Sequence, residues 1–393
     1  MSELSFDFNR GTIAPGTGKV ITHTATGWTT AAAGSPLLLS SGNHIVLDNQ
    51  ANQFIVAGAG DNYIVEYGVN ALIALNDGNS FIYDPAAGAN ILVGHGNSTM
   101  ILTGGDATVV MDVGNPSTGR VPHHTVSVGG DRNNIQIGDG DNLIHAVGNT
   151  MTLCMGFGID TFDVRGDHNT IMAGNADMGT GVNTGQVTTY RVDVHGNNNT
   201  VDLGDGNASV HSIGNFMTLC MGFGNDTFES NGIGNNIMTG GGRNTITLDR
   251  EMSDHDGRAA ITANTLHLGN GNNTVFLGGS GDRIYDGTGN DNITVLHGAG
   301  TIEELNAHGG TETVLGFNIT NGMTLCLTDI LAGIAHDSIA AHLSLRSFTD
   351  PSHSGWTDNV LTVSGLQGTA TMTLLNSGHF TIPSLLGSSH VIA

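Results

Sequence analysis

The fold is decided by residues 128–172, which read VGGDRNNIQ, IGDGDNLIH, AVGNTMTLC, MGFGIDTFD and VRGDHNTIM when the chain is cut into successive nonamers. The eighth residue of each nonamer is aliphatic or aromatic, the sixth is usually Asn or Asp, and Gly concentrates at positions two to four. Glycine permits a tight turn with positive φ, and Asn or Asp bonds the turn backbone or stacks as a ladder. The pattern predicts short strands whose eighth side chain points inward, joined by tight turns.

The nonamers return in two further blocks, 194–247 and 259–303, and a looser spacing of Asn residues extends the pattern upstream. The sequence MTLCMGFG begins at Met151 and recurs at Met217, so that 128–193 is duplicated as 194–259. Two nonamers make one coil with two strands, and stacked coils bury a continuous aliphatic column. We therefore expect an all-β fold: a parallel β-roll or β-solenoid over 38–310, an N-terminal cap or arm over 1–37, and a small β-rich C-terminal domain over 311–393.

Composition excludes several classes of protein. The 11 Lys and Arg residues against 35 acids give a formal charge of −24, which argues against nucleic-acid binding and favours divalent cations or basic partners. No stretch approaches the roughly 20 apolar residues of a membrane-spanning helix, so an integral membrane protein is not expected. Three cysteines are too few for a disulfide framework. The role of the strands that carry Cys154 and Cys220 stays open.

The chain shows no motif for catalysis. HExxH and GxSxG are absent, and the repeats leave no room for an appended catalytic domain. The 18 histidines lack the i, i+4 spacing of a zinc site, and His145 and His211 occupy outward ninth positions, where surface decoration is the simpler interpretation. We therefore predict that the protein is not an enzyme. A polysaccharide-active lyase or epimerase that binds its substrate in a solenoid groove is the remaining enzymatic alternative.

Two nonamers, DGTGNDNIT at 286–294 and MGFGNDTFE at 221–229, resemble the RTX repeat GGxGxDxUx of hemolysin-type calcium-binding proteins. The resemblance implies Ca²⁺ held between turns on one edge by backbone carbonyls and carboxylates. The implied metal ligands are the sixth-position Asp160, Asp226, Asp282 and Asp291, together with Asp139, Asp141 and Asp205 in the same acidic turns. Most other sixth positions are Asn, so we expect few calcium ions along one edge only, with an uncharged Asn ladder as the alternative.

The segment TETVLGFNITNGMTLCLTDILAG, residues 311–333, resembles the start of the C-terminal targeting domain of adhesins exported by type I secretion. The match rests on an aliphatic and aromatic pattern: Val314, Phe317, Ile319, Leu325, Leu327, Asp329, Ile330 and Leu331. Since the N-terminal stretch MSELSFDFNRGTIAPGTGKV has neither a basic nor an apolar signal region, the resemblance implies export through a C-terminal signal. The alternative is an ordinary domain that caps the last coil, and both roles are compatible.

These features together predict a secreted, extracellular, calcium-binding structural protein that associates with itself in a surface layer, a biofilm matrix or a filament. A cell-surface polysaccharide is a further candidate partner. The alternative function is a ligand-binding adhesin or an ice-binding RTX module, and ice binding requires a flat outward row of Thr. The sequence does not choose between a filament, a layer and a monomer, nor does it give the number of calcium ions or the role of residues 1–37.

Overall fold

The computed structural model describes residues 20–24, 27–31, 35–111, 121–174, 188–248, 263–278, 281–296, 301–303, 311–318, 323–328, 330–366, 368–387 and 391–392. The chain forms two compact units, Met1–Val187 and Thr188–Ala393. About half of it is strand, at 52%, and 4% is helical, in parallel stacked coils. The chain is therefore an all-β parallel solenoid, as its repeats predict.

Seventeen strands are described in the first unit. They are β1 Val20–Thr24, β2 Gly27–Ala31, β3 Leu37–Leu39, β4 His44–Asp48, β5 Phe54–Ala57, β6 Asn62–Glu66, β7 Leu72–Leu75, β8 Ser80–Asp84, β9 Asn90–Val93, β10 Ser98–Leu102, β11 Thr108–Met111, β12 His123–Gly129, β13 Asn134–Ile137, β14 Asp141–Val147, β15 Thr152–Met155, β16 Ile159–Arg165 and β17 Thr170–Ala173.

From β3 onward, each strand pairs in parallel with the next strand but one. Val46 of β4 is in register with Ile64 of β6, and Ile55 of β5 with Ile73 of β7, so each coil takes two nonamers, as predicted. From β3 to β17 the even-numbered strands form one sheet, which also contains β1 and β2, and the odd-numbered strands form the other. Between β10 and β12 the register step is longer, because Met100 pairs with Val126 across residues 112–120, which lie outside the described part of the chain.

The core of the first unit is a double column of eighth-position side chains, stacked coil upon coil. In the duplicated region these side chains are completely buried, as the nonamer predicts: Ile135, Ile144, Leu153, Phe162 and Ile171. Because neighbouring coils lie about 4.8 Å apart, each side chain contacts its equivalents above and below. A coil alone buries little apolar surface, so stability depends on stacking.

Glycines in the turns allow the coils to approach closely. Gly60 has a φ of +148°, and a Cβ there would lie 2.2 Å from the carbonyl oxygen of Gly42 in the neighbouring coil. Gly78 repeats this relation to Gly60, again at 2.2 Å. Any other residue at these positions would have to separate the stacked turns. The glycine-rich positions of the nonamer are therefore required by stacking as well as by turn conformation.

The second unit continues the same pattern. Its strands are β18 Thr189–His195, β19 Thr200–Leu203, β20 Asn207–Ile213, β21 Thr218–Met221, β22 Thr227–Asn231, β23 Asn236–Met238, β24 Thr245–Leu248, β25 Thr265–His267, β26 Thr274–Leu277, β27 Arg283–Tyr285, β28 Asn292–Val295, β29 Thr301–Glu303, β30 Thr311–Leu315, β31 Thr324–Cys326, β32 Leu343–Thr349, β33 Thr357–Ser364, β34 Thr369–Leu375 and β35 Val391–Ile392. A 3₁₀-helix spans His336–His342, and α1 spans Ile382–Gly387.

Within the second unit, Val192 pairs with Val210 and Leu266 with Ile284, so that the partners are again one coil of two nonamers apart. Where the chain is interrupted by 249–262, outside the described residues, the step lengthens and Ile246 pairs with Val275. The parts of the predicted duplication that fall in 175–187 and 249–259 also lie outside the described residues.

Antiparallel strands lie beside the outermost coils. In the first unit, β1 pairs antiparallel with both β2 and β4. In the second, β34 pairs in parallel with β30 but antiparallel with β33, and β33 pairs antiparallel with β32. The C-terminal segment therefore packs on the last coils as a cap. Of the predicted N-terminal element over 1–37, residues 1–19, 25–26 and 32–34 lie outside the described part.

No helix in the described part of the chain is long and apolar enough to cross a bilayer. The three cysteines form no disulfide, and burial raises the pKa of Cys154 to about 11, which keeps it a thiol.

Candidate functional site

The sixth position of the nonamer builds a buried polar column inside the even-numbered sheet. In the first unit its members are His44, Asn62, Ser80, Ser98, His124, Asn142 and Asp160, all buried. Its side chains bond from coil to coil at Asn142, whose Oδ1 accepts from the backbone N–H of His124 at 3.3 Å. Only Asn62 and Asn142 of these seven described members are Asn, so the column is a mixed polar one and not the continuous Asn ladder that the sequence offered as the alternative to calcium.

Asp160 stands at the last described coil of this column. Its Oδ1 accepts hydrogen bonds from the backbone and side-chain nitrogens of Asn142, at 3.3 and 3.1 Å. Its Oδ2 is buried and has no partner among the described residues. Burial, together with the negative charges of Asp141 and Asp139, raises the pKa of Asp160 to about 8. The structure thus brings these three predicted ligands near one another, although their oxygens are not all within 4.8 Å.

Asp139 lies in the turn between β13 and β14, Asp141 begins β14, and both join an outer ladder. Oδ1 of Asp139 accepts from the backbone N–H of Phe157 at 2.9 Å, and Oδ1 of Asp141 from that of Ile159 at 3.1 Å. Each carboxylate therefore bridges to the next coil. Oδ2 of Asp141 lies 3.8 Å from Nδ1 of His123, so a cation at this oxygen would compete with a protonated imidazole.

The second unit repeats the arrangement. Oδ1 of Asp226 accepts from the backbone N–H of Ala208 at 2.8 Å, and Oδ1 of Asp205 from that of Phe223 at 2.9 Å. Burial raises the pKa of Asp226 to about 6. Asp282 and Asp291 accept from the backbone N–H of Asn264 and Asn273, at 2.9 and 2.8 Å, and burial raises the pKa of both carboxyls.

The four sixth-position aspartates share one chemical feature. In each of Asp160, Asp226, Asp282 and Asp291, Oδ1 is bonded to the previous coil while Oδ2 is buried without a partner in the described part of the chain. A buried carboxylate oxygen is unfavourable unless a proton or a cation compensates it. Hard oxygen donors of this kind fit Ca²⁺, which takes carboxylate and backbone carbonyl oxygens. The residues present are therefore compatible with calcium.

A second stack of buried acids, Asp48, Glu66 and Asp84, was not predicted from the sequence. The three follow one another at the ends of β4, β6 and β8, one coil apart, and each is at most 1% exposed. Each bonds one oxygen to the backbone two positions ahead, as Glu66 does to Gly68 at 2.6 Å. Burial and the neighbouring charges of Asp48 and Asp84 raise the pKa of Glu66 to about 9, and burial raises that of Asp84 to about 7.

The signal for this stack is present in the sequence as three acids, each separated from the next by one full coil of two nonamers. The stack is not visible within a single nonamer. The three acids also follow the eighth positions in the part of the chain where the nonamer spacing is irregular. Asp48 and Glu66 are hydrogen-bonded to each other through their side chains, whereas Oδ2 of Asp84 is buried without a partner among the residues described.

Acids are not confined to the one edge at which calcium was expected: Asp226 and Asp291 precede the even-numbered strands β22 and β28, whereas Asp282 precedes the odd-numbered β27. Asp131 and Asp167 lie in turns at the opposite edge, between β12 and β13 and between β16 and β17. Oδ1 of Asp131 accepts from the backbone N–H of Asn149 at 2.9 Å, and Oδ1 of Asn149 accepts in turn from the backbone N–H of Asp167 at 2.8 Å. The nonamer AVGNTMTLC indeed lacks an acid, but it is flanked by coils that supply them.

The parallel pairing, the two-nonamer coils and the stacked polar columns define this chain as a β-solenoid repeat protein, compatible with a β-roll. Comparison with known proteins adds no relative: no protein-family model, no curated protein and no solved structure matches it.

Proposed function

We propose that this chain is a secreted, calcium-binding structural protein of the cell surface or extracellular matrix that associates with copies of itself. The observation that carries the proposal is the set of buried carboxylate oxygens described above, which have no partner within the described residues. A coil-stacking fold with such oxygens gains stability from any cation that compensates them. A repetitive structural role accounts for a chain made largely of stacked coils.

Calcium would act between coils rather than within one. Asp160 already bonds the coil before it through Oδ1, so a cation at Oδ2 would add a further bridge at the same level. Nearby Asp139 and Asp141 supply the additional negative charge that raises calcium affinity. Backbone carbonyls of the glycine-rich turns would complete the oxygen shell.

The odd-numbered sheet of the first unit offers a surface for self-association. We call the outward-facing residues Leu38, Phe54, Leu72, Leu92 and Val110 the aliphatic face; their exposed fractions are 70, 38, 41, 54 and 37%. These residues lie in two rows: Leu38, Leu92 and Val110 share a row in register with Val56 and Ala74, and Phe54 is in register with Leu72 in a second row. The described outward positions of β3, β5, β7, β9 and β11 carry no charge, although the chain has a formal charge of −24. Contiguous exposed apolar surface of this kind marks an interaction site.

The antiparallel strands at the outer coils direct this association sideways. In the even-numbered sheet the described end strands are β2 and β32, which pair antiparallel with β1 and β33, and reversed strands of this kind discourage edge-to-edge growth. In the odd-numbered sheet, β3 pairs in parallel with β5 and has no antiparallel neighbour among the described strands. The exposed apolar side chains therefore favour a second copy of the chain packed against the aliphatic face.

Export and an extracellular location rest on the resemblance of residues 311–333 to a type I targeting domain. In the structure this segment forms β30 and β31 and leads into the cap, which is compatible with either role. Calcium-dependent folding outside the cell would suit such a route, because Ca²⁺ is scarce inside cells and abundant outside.

The test combines calcium stoichiometry with circular dichroism and light scattering on the full chain, in Ca²⁺ and in chelator. We expect saturable calcium binding, a higher melting temperature with Ca²⁺, and particles larger than one chain. A melting temperature that ignores Ca²⁺ would overturn the calcium part, and a monodisperse monomer under both conditions would overturn self-association.

The ice-binding alternative receives less support from the outward positions. On the even-numbered sheet of the second unit, Thr227, Thr245 and Thr274 are in register, but the row continues into Ser209 and Asn292. A row of three threonines is short for a flat ice-binding surface, and the structural proposal is therefore preferred.

A further inference from the structure

Two histidines and an aspartate meet on the outward side of β18 and β20. Asp193 and His195 are alternate residues of β18, and His211 pairs in register with Asp193 from β20. Oδ1 of Asp193 lies 3.0 Å from Nε2 of His195 and 3.0 Å from Nδ1 of His211. The three ligand atoms are all within 4.8 Å of one another, and all three side chains are partly exposed.

We propose that Asp193, His195 and His211 form a binding site for a divalent transition metal such as Zn²⁺, separate from the calcium ligands. Two imidazoles and one carboxylate are a ligand set suited to zinc and its neighbours and unlike the all-oxygen shell that calcium prefers. Three protein ligands leave a fourth tetrahedral position open to water or to a ligand from outside.

The dimensions of the cluster suit such an ion. Zinc bonds of about 2.0–2.1 Å in a tetrahedral site put neighbouring ligand atoms about 3.3 Å apart. Two sides of the ligand triangle are already 3.0 Å, so small side-chain rotations would admit the ion. Glu229 follows His211 in register on β22 and adds a second negative charge beside the site.

Strand geometry alone creates this cluster. Alternate residues of a strand face the same side, and residues one full coil apart stand one above the other on neighbouring strands, about 4.8 Å apart. The site therefore ties two consecutive coils together. Metal binding requires each imidazole to carry its proton on the nitrogen remote from Asp193, so the ion would select Nε2 of His195 and Nδ1 of His211 as its ligands.

The duplicated part of the chain provides an internal comparison. At the equivalent positions of the first copy, Ser127 and Gly129 stand in place of Asp193 and His195, while His145 corresponds to His211. His145 Nδ1 lies 2.9 Å from Oδ2 of Asp163, whose Oδ1 is 3.5 Å from Nε of Arg165. This pair has one imidazole and a competing cation, so it lacks the ligand set for zinc.

Competition between the full-length protein and a chromophoric chelator for Zn²⁺ tests the proposal. We expect each chain to bind one Zn²⁺ ion tightly, and a large excess of Ca²⁺ should not displace it. His195→Ala and His211→Ala should each weaken this binding at least tenfold, while His145→Ala, at the matched position, should leave it unchanged. Zinc should also shift the ¹⁵N resonances of His195 Nε2 and His211 Nδ1. No tight equivalent, or equal weakening by His145→Ala, would overturn the site.

A gain-of-site variant makes the test independent of any loss of folding. Gly129 does not have a positive φ, and a Cβ there would meet no atom closer than 3.5 Å, so a side chain fits. Ser127→Asp combined with Gly129→His, in a chain that also carries Asp163→Asn, should create a second zinc equivalent with His145. If binding stays at one equivalent in a correctly folded variant, the strand spacing is not sufficient and the proposal fails.

Discussion

The amide nitrogen of Asn142 lies 3.1 Å from Oδ1 of Asp160, one coil further along the chain, while Oδ2 of Asp160 has no partner in the described residues. This pair combines two features of the fold: a hydrogen bond between neighbouring coils, and a buried acid that needs a counter-charge. Either Asn or Asp can accept the ladder hydrogen bond. Only Asp has a second carboxylate oxygen, which needs a proton or a cation when it is buried. Asp160 is therefore the position at which the response to calcium can be separated from stacking.

Asp160→Asn should separate the response to calcium from the hydrogen bonding that stacks the coils. Because burial raises the pKa of Asp160 to about 8, the carboxyl must take up a proton on folding at neutral pH, and an amide avoids this while it keeps an acceptor for Asn142. In chelator the variant should therefore be more stable by about 1–3 kcal/mol. It should also lose part of the stabilisation by Ca²⁺. Urea unfolding in Ca²⁺ and in chelator measures both effects. Asp131→Asn, at an exposed ladder position, is the matched control and should change neither quantity; a variant that is destabilised in chelator would contradict the assignment.

Stability in chelator should fall as the pH rises, because of the buried stack Asp48, Glu66 and Asp84. The folded pKa of Glu66 is about 9 and that of Asp84 about 7, above the ordinary values of 4.5 and 3.8. Folding thus favours the protonated carboxyls, so their contribution is complete below about pH 4 and is lost as the pH rises through 7 and 9. Urea titrations at pH 5, 7 and 9 should show this slope.

Glu66→Gln should reduce that pH dependence, since the amide remains neutral over the whole range, while Asp84, Asp160 and Asp226, whose pKa burial also raises, should maintain the rest. Asp61→Asn is a suitable control, because Asp61 lies on an exposed ladder between Asn43 and Asn79 and keeps its acceptor oxygen on substitution. The same slope in Glu66→Gln as in the unmodified chain would show that other groups cause it.

The sequence is sufficient to predict the coil, the inward eighth position and the stacking glycines, because a nonamer period specifies a local turn and one buried side chain. The acid stack at Glu66 and the cluster at His195 could not be predicted in the same way. They depend on residues separated by two nonamers, and that separation becomes meaningful only once two nonamers are known to form one coil. The histidine spacing typical of helical zinc sites does not apply on strands, where the neighbours are the next residue but one and the residue one coil away.

Gly60→Ala should be strongly destabilising. Its Cβ would lie 2.2 Å from a backbone oxygen of the neighbouring coil, and its positive φ disfavours any L side chain. A loss of about 2 kcal/mol or more, the size of an overpacking penalty, is expected in denaturant unfolding. Gly129→Ala is the comparison, since its Cβ would make only ordinary contacts at 3.5 Å; an equal loss there would mean that glycine matters for another reason.

Leu92→Lys should reduce self-association by placing a charge in the middle of the aliphatic face. The reduction should appear as a smaller particle in light scattering with an unchanged circular dichroism spectrum. Leu366→Lys, at a 68% exposed apolar residue of the C-terminal segment, should have no effect. Equal particle sizes for the unmodified chain and Leu92→Lys would exclude this face as the contact.

Mild acid should promote the same association. Burial lowers the pKa of His124 to about 4, and protonating the other 17 His would reduce the formal charge from −24 to −7, which weakens repulsion between chains. The change should fall between about pH 7.5 and 5, the range in which ordinary histidines titrate. Scattering that is constant across this range would count against charge repulsion as the limit on assembly.

The register step between β10 and β12 is longer than one coil, since Met100 pairs with Val126, although Met100 also pairs with Ile82 and Val126 with Ile144 at the usual two-nonamer step. Strand pairing thus resumes unchanged although this step is 26 residues and not 18. Such a chain tolerates additional residues between coils without a change in strand pairing, and residues added there would lie at a fixed height along the stack. For a chain that binds partners at the side of its stacked coils, such additions would change the residues that a partner contacts while the strands beneath them stay the same.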